Sequence, residues 1–163
     1  MNLSKLFEMQ AKLDAHIERE HPRKENEDRL VKKILALQVE LGELANEWRG
    51  FKFWSNDQEP KTVKYMLEEY VNCLHFLLSI GLENEVGTFT GDELMPIKMG
   101  TVEMQFITIF KATVLFLEDI SYYQEMWELF LGLGEMLGFT LEEVEQAYYA
   151  KNKENHERQD EGY

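Results

Sequence analysis

Three glutamates in the segment VELGELANEW, Glu40, Glu43 and Glu47, recur at spacings of three and four residues. On a helix those spacings put all three on one flank, beside the apolar stripe. Like charges so placed repel one another, and the bland reading of any such short motif is a solvated acidic face. The segment EEYVNCLHFLLSIGL, residues 68–82, weighs against that reading. Val63, Met66, Leu67, Tyr70, Val71, Leu74, Leu77 and Leu78 fill a wide apolar arc, and Cys73, Phe76 and Ile80 cover another side. A helix apolar on most of its circumference is central in its bundle. Down its remaining side runs a polar file of Glu68, Asn72, His75 and Ser79, with Glu69 at the edge. Buried carboxylates are costly unless they are paired or bind metal. If this file faces the acidic flank, the bundle encloses several acids without an obvious basic partner, and divalent cations would resolve the repulsion. Mg²⁺ prefers oxygen ligands, keeps some of its water and is commonly shared with substrate phosphates.

The elements that must position these groups read as helices throughout. Three prolines and ten glycines in 163 residues, with long runs at three-four spacing, predict an all-α fold. The first helix is expected from about Leu3 to about Glu20, with Leu3, Leu6, Leu13 and Ile17 on one stripe, Gln10 inside it and Asp14 one turn on. The second carries the stripe Leu30, Ile34, Leu37, Leu41, Leu44 and Trp48, and a loop RGFKFWSNDQEP follows. Pro60 suits the first turn of the third helix. Residues 84–100 read as an irregular excursion, and helices are expected over about 101–119 and 121–137. The sixth helix opens on the capping box Thr140-Leu-Glu-Glu143, and the chain closes on a strongly polar tail, AKNKENHERQDEGY.

Composition bounds the function. The chain fits one domain, long enough to bury a core, and 44% hydrophobic residues are too many for a disordered chain. A formal charge of −14 repels nucleic-acid backbones, which excludes broad nucleic-acid binding and leaves any anionic ligand in need of bound cations. A single cysteine, Cys73, forms no internal disulfide and points to a reducing compartment. The N-terminus lacks the apolar run of a signal peptide, and no segment reaches transmembrane length, so the expected setting is the cytoplasm, with no membrane partner. Taken singly, His75 reads as a satisfied core histidine and Gln10 as a polar intrusion tied to backbone. The aromatics Phe51, Phe53 and Trp54 alone would read as a cap on the bundle end. Together they leave an unusual number of polar groups on core-facing surfaces.

ELGELANEW, followed 25 residues after its second glutamate by EEYVN, resembles the ExxE…ExxD pattern of the all-α nucleoside triphosphate pyrophosphohydrolases, the MazG-like superfamily. Within it, the chain is most similar to the dimeric all-α dUTPases, through FEMQAKLD near the start, FKFW, CLHF and the terminal AKNKENHERQDEGY. The resemblance implies a helical bundle that forms a homodimer, one domain over 1–163 with a phosphate-binding tail at about 150–163, and hydrolysis of dUTP to dUMP and pyrophosphate with Mg²⁺ or Mn²⁺. It places Glu40, Glu43 and Glu69 on the metal-binding carboxylates, and Gln10, Trp54 and His75 around uracil. Lys151, Asn155 and Arg158 match the phosphate-binding block, Lys52 is a further candidate of that kind, and Tyr163 would close over the nucleotide. Two positions depart from the pattern. Asp14 stands where relatives often carry Asn, beside the base, and Asn72 stands where the motif ends in Asp. An amide oxygen still coordinates a hard cation, but the charge is lost, so weaker metal affinity and reduced activity are expected.

Bound metal would neutralise the triphosphate and activate a water whose proton a glutamate accepts, either Glu43 or Glu40. Lys151 and Arg158 would steady charge on the leaving phosphates, with the tail ordering over nucleotide. The rivals are a same-fold hydrolase of another nucleotide such as dCTP, a weakened nucleotide-binding regulatory protein, and a helical adaptor without a ligand.

Overall fold

The computed structural model describes residues 1–60, 62–84 and 93–162, and these form six helices with no strand among them. They are α1 (Leu3–Glu20), α2 (Arg29–Trp48), α3 (Val63–Glu83), α4 (Val102–Phe116), α5 (Tyr122–Met136) and α6 (Leu141–Asp160). Each of α1, α2, α3, α4 and α6 starts at a side-chain cap, from Asn2, Asp28, Thr62, Thr101 and Thr140 respectively, and Thr140 completes the expected capping box with Glu143. Pro60 lies ahead of α3 rather than in its first turn. Thr62 accepts from the Tyr65 amide, and that cap sets the start.

Helix α3 is the axis of the bundle. It lies against α2 along its length, with α1, α5 and α6 around it and α4 joining α2 to α5. Its buried residues run from Met66 to Gly81 on nearly all sides, as its composition requires. Two tyrosines lock α5 to it: the Tyr70 hydroxyl donates to Phe130 O and the Tyr123 hydroxyl to Leu77 O. Tyr70 also stacks on Phe130 with ring centroids 4.2 Å apart. Gly134 is required where the Tyr70 hydroxyl approaches, since a Cβ there would lie 2.5 Å from it.

The polar tail does not stand apart from the fold. Residues 150–160 continue α6, which lies across α1 and α3. Spacing explains the difference: Lys151–Glu154, Arg158–Glu154 and Lys153–Glu157 pair three or four residues apart along the helix. Residues 85–92 of the expected excursion lie outside the described residues. Residues 94–99 are irregular, and Ile97 N donates to Glu128 O of α5.

Candidate active site

Helices α2 and α3 bring carboxylate oxygens of Glu40, Glu43 and Glu69 within 4.8 Å of one another. No lysine or arginine among the described residues pairs with any of the three. Glu40 Oε2 is buried without a hydrogen-bond partner. Burial first, and then the charges of Glu43 and Glu69, push the Glu40 carboxyl up to about 7, against a weaker opposing hydrogen bond from Asn72. The Asn72 amide also donates to Glu69 Oε2 at 2.9 Å. An orphaned acid oxygen amid clustered carboxylates and one amide is an all-oxygen donor set that a hard divalent cation fits.

A cavity of roughly 860 Å³ runs from Glu40 and Asn72 past Gln10, Asp14 and His75, with Lys151, Asn155 and Arg158 on its wall. Its inner face is a hydrogen-bonded chain between α1, α3 and α6. Gln10 Nε2 donates to Asp14 Oδ1 at 2.7 Å, and Ser79 Oγ donates to Asp14 Oδ2 at 2.5 Å. Gln10 Oε1 lies 2.8 Å from His75 Nδ1 and accepts from the Tyr148 hydroxyl at 2.9 Å. The Tyr148 and His75 rings stack with centroids 4.2 Å apart. Burial, then the Lys151 charge, pushes His75 down to about 3, so its ring is neutral at physiological pH.

One acid of the cluster, an amide–imidazole pair and two cationic side chains thus share the wall of a single cavity. The family model described as dUTPase matches residues 2–163. The chain belongs to the dUTPase family. Membership carries hydrolysis of dUTP, a dUTP diphosphatase activity on a nucleotide substrate. Enzymes of this kind generally depend on a divalent metal, and the acid cluster supplies a possible site for one. No curated protein matches the chain. No described helix is long and apolar enough to cross a membrane.

Within this dUTPase-family bundle, the expected residues divide by place. Gln10, Asp14, Glu40, Asn72, His75, Lys151, Asn155 and Arg158 line one cavity, with Glu43 and Glu69 beside Glu40. Trp54 and Lys52 are not on the cavity wall. Trp54 is 66% exposed, edge-on to Phe51 and Phe53, and Lys52 Nζ donates to Asn46 Oδ1 at 2.6 Å. Tyr163 lies outside the described residues. Gln10 is tied to side chains, not to backbone, and Glu47 stays clear of the acid cluster.

Sequence reasoning missed Lys33 and Tyr148. Lys33 Nζ lies 3.5 Å from Asp14 Oδ2 and 2.8 Å from Glu83 Oε2. The signal for Lys33 was present: it precedes Glu40 by seven residues, two helical turns, on the same face of α2. The tyrosines Tyr148 and Tyr149 stand adjacent in sequence, and only the fold shows that Tyr148 is buried against His75.

Proposed function

We propose that the chain hydrolyses dUTP to dUMP and pyrophosphate in this cavity, with Mg²⁺ held by Glu40, Glu43, Glu69 and the Asn72 carbonyl. The observation that carries the reading is that one cavity is lined by the partnerless Glu40 carboxyl, the neutral His75–Gln10 pair, Lys151 and Arg158. Bound Mg²⁺ would supply charge neutralisation of the triphosphate and a water of lowered pKa. Glu43 would take that water's proton, a role its exposure supports where Glu40 is half-buried. Glu40 is the alternative base. Lys151, Asn155 and Arg158 project from α6 to hold phosphate oxygens, and arginine offers a fork that matches them. Gln10 and His75 surround uracil, and Trp54 and Lys52 join only if the 49–58 loop turns inward. Mn²⁺ suits the same oxygen ligands.

A homodimer is part of this reading. Helix α2 exposes Val31, Leu35 and Val39, at 47%, 61% and 51%, spaced four residues apart. The neighbouring α4 exposes Met104, Ile107 and Val114 along one face. Exposed apolar residues recurring at helical spacing on two helices that pack together support a protein–protein interface. The free, buried Cys73 supports a reducing, cytoplasmic setting.

The test is product analysis with dUTP, dCTP, dTTP and UTP in Mg²⁺, for this chain beside Asn72→Asp. Selective release of pyrophosphate from dUTP by both is the expected result. Turnover by Asn72→Asp alone would make this chain a nucleotide-binding regulatory form, and preference for dCTP would reassign the base. Silence from both would remove the catalytic reading.

A further inference from the structure

Hydrogen-bond polarity along the inner wall is fixed from one end. A carboxylate only accepts, so Asp14 obliges Gln10 to present its NH₂ group, at 2.7 Å. The amide oxygen must then face His75, and at 2.8 Å a neutral ring can satisfy it only with the proton on Nδ1. Tyr148 donates to the same oxygen, and its stacked ring fixes the imidazole plane. What remains is Nε2, a bare acceptor on a residue of the cavity wall that is 6% exposed, without a partner among the described residues. Ser79 and the donor-only Lys33 hold Asp14 from the other side, through Oδ2.

We propose that Asp14 is a positioning residue which, through Gln10, holds His75 in the Nδ1–H tautomer and so makes Nε2 an acceptor for the N3–H of a uracil ring. The inference rests on the reading of this cavity as the uracil site. Uracil offers a proton at N3, where cytosine offers a lone pair. Nε2 therefore accepts from the one ring nitrogen and opposes the other, which gives the pocket a way to reject dCTP. Unpartnered buried acceptors are unfavourable, so a matching donor is bound with that deficit relieved.

The test uses the full chain labelled with ¹⁵N-histidine, with His75 assigned by its loss in His75→Gln. Long-range ¹H–¹⁵N spectra near pH 7 should show Nδ1 protonated and Nε2 bare. Asp14→Asn keeps the shape but not the polarity. Lys33 keeps the remaining oxygen on its side, the new NH₂ turns to Gln10, and the Gln10 amide inverts. His75 in Asp14→Asn should then populate Nε2–H, because the Tyr148 hydroxyl accepts as readily as it donates. Gln10→Met should free the tautomer and lower the dUTP-over-dCTP ratio of kcat/KM about tenfold. Nε2–H or an imidazolium in the parent chain overturns the proposal, as does an unchanged tautomer in Asp14→Asn or an unchanged ratio in Gln10→Met. Parent dUTP turnover with the wrong tautomer retires this inference alone. The expected tautomer with no turnover or binding of dUTP retires the uracil site, and the assigned ligand with it.

Discussion

The α2–α3 pair carries glutamates at both ends, and the two ends treat them in opposite ways. Near the end of α3, Glu83 receives both Arg23 guanidinium nitrogens at 2.6 and 2.8 Å and Lys33 Nζ at 2.8 Å. Arg23 first, then Lys33, hold its carboxyl down at about 2. Away from that end, Glu40 meets burial and two further acids, opposed only by a weaker hydrogen bond from Asn72, and its carboxyl rises to about 7. The residue type and the two helices are the same, and only the partners differ. One end is arranged to hold α3 against α2 and the loop before it. The other keeps a repulsive charge set with no cationic side chain paired to it among the described residues, which marks it as the candidate site.

Neutralising the proposed base breaks the acidic end most severely. Glu43→Gln should lower kcat by roughly 10²-fold or more while circular dichroism stays helical. A parent-like rate would dismiss Glu43 from the chemistry and leave Glu40 in its place. Second in size is the response to metal removal. A folded-state pKa raised from 4.5 to about 7 means that folded Glu40 binds its proton more tightly than the unfolded chain does. Stability of the metal-free protein should therefore be greatest below pH 4.5 as far as this group is concerned, and fall as pH rises towards 7. Thermal melts in EDTA across that range should show the decline, Mg²⁺ at pH 8 should reverse it, and Glu40→Gln should flatten it. A parent melt insensitive to both pH and Mg²⁺ would show that the acids are simply solvated.

Asn72→Asp sharpens the same contrast with a smaller effect. It replaces the amide that donates to Glu69 with a fourth acid. Calorimetric titration with Mn²⁺ should show affinity higher by about tenfold, the equivalent of ~1.4 kcal/mol for one added charge, and the metal-free form should melt lower at pH 8. Unchanged affinity would mean that the side chain at 72 does not reach the metal.

The helical architecture was legible because periodicity survives in every element: the expected first helix, Leu3 to Glu20, coincides with α1. The acid cluster was legible for a related reason. Glu40 and Glu43 share a turn of α2, and Glu69 sits on the polar margin of a helix otherwise buried all round. What the sequence withheld was contact between distant elements. The polarity of the pocket depends on α1 meeting α6 and on Lys33 crossing from α2 to Asp14, and no local pattern encodes such pairings. The helical course of the tail was hard to read because its polarity hides a helix held by pairs along its own surface and by a few buried positions of α6, Tyr148, Asn152 and Gln159. The exposed setting of Trp54 was not legible, because an aromatic in a loop has no periodicity to say which way it faces.

The smallest expected effect comes from loosening the satisfied end. Arg23→Ala removes the two-pronged contact to Glu83 and one to Glu18, but leaves Lys33 on Glu83. Partly exposed ion pairs contribute little, so urea unfolding at pH 7 should show a loss of no more than about 1 kcal/mol. A depressed carboxyl pKa contributes stability above 4.5 that is lost as pH falls towards 2, so the gap between parent and variant should close across that window. Arg23 and Glu83 border the same cavity, but Lys33 still holds Asp14, so turnover of dUTP should change less than in the variants above. A large fall in turnover from Arg23→Ala would mean that the ion network helps to set the pocket, and that the two ends of α2 and α3 do not act separately.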